Sequence, residues 1–168
     1  MNKFLSILSV LFFFTLTAQA QEISIAGTNN YSSCEGAVVD SGLSAADYGA
    51  NENHTITWCP EAPETILNLY WVVFDLDAAS TISIYDGDDN TAQLVGTYTG
   101  TELQGQDIFS GAGNTTGCMT IEFVSGAGSS GNFGAYASCG YPCDRPFAIV
   151  NPTEAQPMMA CLGEDVFL

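Results

Sequence analysis

Basic residues are almost missing from this chain. Its 168 residues hold two Lys or Arg against nineteen Asp and Glu, a formal charge of −17. A surface so poor in cations cannot neutralise phosphates, which excludes nucleic acid and anionic membranes as partners. Histidine is equally scarce. His54 stands alone, far from any CxxC pair, which argues against a structural zinc site. Nor does it have a nucleophile motif such as G-x-S-x-G to serve. Helical periodicity is the third absence, since no segment of useful length places apolar residues at i, i+3 and i+4. Beyond residue 20, no stretch is apolar for the roughly 20 residues that a spanning helix needs.

The amino terminus accounts for one of the two cations. Met1-Asn2-Lys3 is a short basic start, Phe4 to Leu16 is apolar, and Ala18-Gln19-Ala20 supplies a small-x-small cleavage pattern. Residues 1–20 therefore read as a secretory signal peptide, and the mature chain begins near Gln21. Arg145 then faces all nineteen acids, leaving −18. Such acidity keeps a secreted protein soluble and raises the local cation concentration. Hydrophobic residues make up 46% of the chain, which argues against disorder. The six cysteines, Cys34, Cys59, Cys118, Cys139, Cys143 and Cys161, read as disulfides in an exported protein. Spacing alone does not choose among the fifteen pairings that six cysteines allow.

What is present in quantity is β-strand pattern. Glu22 to Ile25 is a short β-like start, and Cys34 to Val39 is a brief strand closed by Asp40-Ser41-Gly42, residues that favour a turn. Thr55 to Cys59 alternates and is β-branched, and Pro60 and Pro63 end it. Next, Leu67, Leu69 and Trp71 share one face, but the apolar positions then fall on Phe74 and Leu76 where alternation requires Val73. A slip of one residue predicts a β-bulge or a change of sheet. Further strands fall at Thr81 to Tyr85, Leu94 to Thr99, Met119 to Phe123 and Phe133 to Ala137, with Ile108 as a single buried contact. Short strands with Gly, Pro and Asp-Gly turns between them predict an all-β, antiparallel sandwich.

The ordered set of motifs resembles a CUB domain. It runs through Cys34-x-Gly36, Tyr48, Thr57-Trp58 and Leu67-x-Leu69-x-Trp71-x-x-Phe74-Asp75-Leu76-Asp77. It continues through Ile82-x-Ile84-Tyr85-Asp86-Gly87, Gly96-x-Tyr98, Ile121-x-Phe123-x-Ser125 and Phe133-Gly134-Ala135-x-Ala137. The resemblance covers roughly Cys34 to Cys139, and Asp40-Ser41-Gly42 with Trp58-Cys59-Pro60 looks like CUB-like modules near the start of large bacterial surface and secreted proteins. The resemblance implies a jelly-roll β-sandwich over residues 21–139. It also implies a Cys34–Cys59 disulfide, although Cys59 here follows the tryptophan instead of preceding it. With the family's second pair missing, Cys118 and Cys139 are left to meet if their strands are antiparallel neighbours.

The same resemblance points to a calcium site. Of the three acids it requires, the first falls on Asp77, the second position holds Ser80 and the third Gly126. A second acidic group, Asp86-Gly87-Asp88-Asp89-Asn90, has carboxylates spaced around a glycine, which suits either a calcium loop or an ordinary turn. The candidate metal ligands are thus Asp77, Asp86 and Asp88, with calcium as the ion. Tyr48, Tyr70, Tyr85, Tyr98 and Tyr136 are candidates for stacking on sugars or lining a protein contact, with strand-face packing as the plainer explanation. Asn53-His54-Thr55 and Asn114-Thr115-Thr116 match the glycosylation sequon.

After Cys139 the composition changes. Residues 140–168 read as a linker, a strand at Phe147 to Val150, and the truncated start of an immunoglobulin- or PKD-like module. Cys143 and Cys161 are left to each other or to cysteines beyond Leu168. The whole reads as a non-catalytic extracellular module that binds protein or carbohydrate, at the front of a larger secreted polypeptide whose downstream domains it adjoins. The alternatives are a spacer with no ligand of its own and an accessory domain of a secreted hydrolase.

Overall fold

The computed structural model describes residues 21–27, 29–111, 113–128 and 130–141, together with the backbone at 148–149 and 159–160. The signal segment and both Cys143 and Cys161 lie outside the described residues. At the tail, two short strands, 148–149 and 159–160, pair antiparallel.

The strands are β1 (Glu22–Ser24), β2 (Asn30–Ser32), β3 (Glu35–Val39), β4 (Asn53–Cys59), β5 (Ile66–Leu76), β6 (Thr81–Asp86), β7 (Gln93–Tyr98), β8 (Asp107–Phe109), β9 (Met119–Val124) and β10 (Gly131–Gly140). They form two five-stranded sheets. The first has the order β1-β3-β10-β5-β8 and the second β2-β4-β9-β6-β7. Within each, one edge departs from the antiparallel expectation: β1 pairs parallel with β3, and β2 parallel with β4. Among the described residues the only helical segment is a 3-10 turn at Leu43–Ala45.

Alternation decides what each strand buries. Ile56 and Trp58 of β4, Ile82 and Ile84 of β6, and Met119, Ile121 and Phe123 of β9 point inward from the second sheet. They meet Val38 of β3, Leu67, Leu69 and Trp71 of β5, and Phe133, Ala135 and Ala137 of β10. Aromatic rings pack edge to face in the core, across the two layers at Phe123 and Phe133 and within the first at Trp71 and Phe74. Phe123 lies 4.9 Å from Phe133 and 4.9 Å from Tyr48, and Trp71 lies 5.3 Å from Phe74. Such pairs add about 0.5–1.5 kcal/mol each beyond the area they bury. Gly36, at φ +137°, is fixed by its neighbour: a Cβ there would lie 3.1 Å from the Trp58 ring.

The slip seen in the sequence of β5 is a β-bulge. Gly134 pairs with Val73 and the next residue, Ala135, pairs with Trp71, so Val72 has no partner on β10. Val72 and Val73 both face solvent as a result, and Phe74 and Leu76 return to the core. Gln104 completes the other edge of β5 where β8 has ended. Its Oε1 accepts from the Phe74 amide at 2.8 Å and its Nε2 donates to the Val72 carbonyl.

The disulfides join neighbours within each sheet, not the pairs implied by the resemblance. Cys34 bonds Cys139, with Cα atoms 5.0 Å apart, across β3 and β10. Cys59 bonds Cys118, with Cα atoms 4.1 Å apart, across β4 and β9. The expected Cys118–Cys139 bond fails because β9 and β10 belong to different sheets. The glycine-serine stretch between them carries the chain from one layer to the other. Cys34 and Cys59 come near each other, since the Ser33 amide donates to the Cys59 carbonyl at 3.1 Å, yet each bonds a cysteine of its own sheet instead.

Candidate functional site

The candidate metal ligands are not brought together. Asp77 and Asp86 flank β6 at opposite ends, and five residue steps of strand from Thr81 to Asp86 span roughly 17 Å. Asp86 is engaged in the fold: its carboxylate accepts from the Gly111 amide at 2.9 Å and from Asn114 Nδ2 at 2.7 Å. It thus anchors the loop before β9. Asp88 is exposed, and its contribution is a main-chain carbonyl that accepts from the Thr57 hydroxyl at 3.3 Å. Asp89, next to it, closes a turn on Thr91, whose hydroxyl and amide hold its carboxyl below the usual range.

The turn at Asp77 is closed on itself. Asp77 Oδ1 accepts from Ser80 Oγ at 2.9 Å and from the Ala79 amide at 2.8 Å, and Ser80 Oγ accepts from the Gly126 amide at 3.2 Å. The Tyr48 hydroxyl accepts from the Asp77 amide at 2.9 Å. Asp77 Oδ2 is buried with no hydrogen-bond partner, a single free carboxylate oxygen where calcium takes six to eight oxygens. Among the described residues, no three of His, Cys, Asp or Glu come close enough to share a metal. The residues present therefore do not fit a calcium ion, because Ser80 and Gly126 supply a hydroxyl and an amide where carboxylates are required.

His54 lies 3.5 Å from Glu52 Oε2, while Glu52 Oε1 accepts from Ser41 Oγ at 2.8 Å and the Gly49 amide at 2.9 Å. That group ties loops together. Asp40 is buried, and its carboxylate accepts from the Gly42 and Phe133 amides at 2.8 and 3.1 Å. Burial pushes its pKa above the ordinary 3.8, those two bonds oppose the rise, and Asp47 and Glu52 add repulsion. Of the two sequons, Asn114 is consumed by structure: Nδ2 donates to Asp86 and to the Cys118 carbonyl, and Oδ1 caps Thr116 and Gly117. Asn53, at the start of β4, is exposed.

The five tyrosines separate clearly. Tyr48 is buried in the core, contrary to its place among the exposed candidates. Tyr85 and Tyr98 are half-buried on the second sheet, and Tyr85 donates to Glu122 at 3.0 Å. Tyr70 and Tyr136 stand directly opposite each other on β5 and β10, on the outer face of the first sheet, and both are exposed.

Those two belong to a larger feature. Ten large apolar residues are exposed among those described, and six of them, Leu43, Tyr70, Val72, Val73, Phe109 and Tyr136, sit on or over this one face. Leu43, Val72, Val73 and Tyr136 line a groove of about 730 Å³ floored by Gly134. Leu43 holds φ +60°, a left-handed conformation that costs a residue with a Cβ about 1–2 kcal/mol. Strain in an exposed apolar residue beside a groove is a pattern found at functional sites. The second sheet exposes three, Leu94, Val95 and Val124, beside hydroxyl pairs in which Thr57 bonds Thr120 at 2.9 Å and Ser83 bonds Thr97 at 2.8 Å. Sequence reasoning found the two tyrosines and the valine slip, but Leu43 and Gly134 carried no signal, because nothing local reveals what a turn leans over.

No protein-family model matches the sequence, and no curated protein matches it either. Solved structures do. The chain is similar to the full extracellular region of zebrafish Gpr126/Adgrg6, with a TM-score of 0.54 and 12% identity, over 73% of this chain and 15% of that one. It is also similar to the CUB1-EGF-CUB2 region of human MASP-1/3, with a TM-score of 0.53 and 15% identity, over 67% of this chain and 41% of that one. The MASP-1 CUB2 domain, whose structure is bound to Ca2+, matches with a TM-score of 0.51 and 17% identity over 66% of this chain and 96% of that domain. The chain spans only 15% of the receptor region and 41% of the MASP-1/3 region. The fold is that of a CUB domain: two mixed sheets in a β-sandwich.

Proposed function

We propose that this chain is a secreted, non-catalytic binding module that engages an extracellular protein or carbohydrate through the outer face of its first sheet, ahead of further domains in the same polypeptide. The observation that carries this reading is the contrast between the two outer faces. A sandwich with no partner has no reason to gather six large apolar side chains on one sheet around a groove, where the other sheet exposes three beside its hydroxyl hydrogen bonds. The fold it shares with domains of extracellular proteins supports the location, and the amino-terminal segment supports export. Among the described acids and the histidine, the contacts of Asp40, Glu52, His54, Asp77 and Asp86 tie turns and loops together, which supports a binding role over a catalytic one.

The test presents the mature chain to panels of extracellular proteins and glycans beside the double variant Y70A/Y136A. The variant is expected to keep its melting temperature and lose about tenfold or more in affinity, as truncated aromatic anchors commonly do. Silence of the wild-type chain on both panels would favour the spacer, and an unaltered affinity in the variant would refute this face as the binding surface.

A further inference from the structure

The outer face of the first sheet is ordered in rows, and the rows show which partner chemistry it suits. One cross-strand row runs Glu22, Ala37, Tyr136, Tyr70, Asp107 over β1, β3, β10, β5 and β8. Four strand spacings place its two end carboxylates roughly 19 Å apart, with the tyrosine pair between them. The next row toward the groove runs Ser24, Val39, Gly134, Val73. Beyond it Asn132 pairs with Asp75, and on the far side Glu35 pairs with Ser138. Glu22, Glu35, Asp75 and Asp107 are all exposed. They border an apolar stripe on several sides, and residues 21–141 contain no Lys or Arg at all.

Resting on the reading above, we infer that this face binds a cationic protein surface: an apolar or aromatic side chain enters the Gly134 groove while Lys or Arg residues around it meet Glu22, Asp75 and Asp107. Charge complementarity selects this occupant. A second copy of the chain brings the same carboxylates and repels itself. Anionic glycans are repelled likewise. A neutral glycan makes use of the tyrosines and leaves the surrounding acids with no counterpart. The groove is open enough for such an anchor, because a Cβ built on Gly134 meets nothing nearer than Val39 Cγ1 at 3.6 Å. Gly134 has no positive φ to defend, so the floor of the groove is free to be filled by substitution.

The experiment uses the full mature chain and two synthetic peptides of equal charge, in which lysines flank either tryptophans or serines, with a neutral glucan oligosaccharide as a third probe. The tryptophan peptide is expected to bind about tenfold more tightly than the serine peptide and to weaken several-fold as salt rises from about 0.05 to about 0.5 M, where the screening length falls from over 10 Å to a few ångströms. The variant E22Q/D75N/D107N is expected to lose about tenfold in affinity, from three exposed pairs of modest strength each. Removing equal charge on the other sheet and its turns, as E61Q/D88N/D89N, is expected to change it less than about twofold. G134W, with its melting temperature measured to confirm folding, is expected to erase the preference for tryptophan. Equal losses in the two charge variants, indifference to salt, no preference between the peptides or no binding of either would each overturn the inference. Preference for the glucan would also overturn it while leaving the binding face itself intact.

Discussion

Replacing Gln104 with alanine removes both hydrogen bonds that close the β5 bulge. The Phe74 amide loses its acceptor at 2.8 Å and the Val72 carbonyl loses its donor. Phe74 is fully buried, so its N–H depends on whatever water enters the space that the side chain vacates. The Val72 carbonyl lies at an exposed residue and recovers a water partner at little cost. Leaving a buried donor poorly satisfied costs about 1–3 kcal/mol, and water entry lowers that, so Q104A is expected to cost about 1–2 kcal/mol. For a domain of roughly 120 residues this corresponds to a fall of about 4–8 °C in melting temperature. Urea denaturation gives the free energy directly, and amide exchange at Phe74 localises it, since that proton is expected to exchange faster while Leu69 stays protected. The bulge also aims Val72 and Val73 outward, so ligand binding at the Gly134 groove is expected to weaken with it. A change under about 0.5 kcal/mol with Phe74 still protected would show that the bulge holds without the glutamine.

Disulfide mapping by proteolysis under non-reducing conditions is expected to yield Cys34 linked to Cys139 and Cys59 linked to Cys118. Removing either bond opens a loop of 105 or 59 residues and is expected to cost about 2–4 kcal/mol. Calcium at millimolar concentration is expected to leave the melting temperature where a chelator leaves it; a ligand at a hundredfold its dissociation constant adds about 2.7 kcal/mol, so a rise of several degrees would refute the closed-turn description of Asp77. Carboxyl titration by NMR is expected to place Asp40 above 3.8 and Asp89 below it. The signs are opposite: ionising Asp40 costs native stability, a cost lifted as pH falls through its raised folded pKa. The Asp89 contribution is present above 3.8 and lost as pH falls through its lowered one. D40N is expected to destabilise by about 1–3 kcal/mol, because one of the two amides facing the carboxylate then meets an NH2 group.

The inward side of this fold was legible and the pairing between strands was not. Alternation identifies Ile82, Ile84, Met119, Ile121 and Phe123 as core because each strand is half-buried, and a period of two then carries the information. The misfit of Val73 betrays the bulge for the same reason. The parallel edges are another matter: β1 and β2 are three residues each, too short for any period to show. The Cys118–Cys139 pairing failed on topology, since β9 and β10, adjacent in sequence, sit in different layers. Asp86 and Asp88 fit a calcium loop by composition, and only the structure shows Gly111 and Asn114 consuming the first of them.

The bulge connects these levels. Had β5 kept strict alternation, one of its two valines would have turned into the core, and Phe74 would have been pushed to the surface. The extra residue instead places two valines side by side outside, next to Gly134, which contributes no side chain of its own. Opposite them Val39 faces outward yet is nearly covered, and it lines the groove together with Leu43, which stands in a turn with a left-handed backbone. Four separate departures from a regular sandwich, an unpaired residue, a bare glycine, a strained leucine and a facing pair of tyrosines, thus converge on one surface. Regular packing requires none of them at these positions. Local rules are most often broken where function needs them broken, and here the breaks and the surrounding carboxylates coincide on the same side of the molecule.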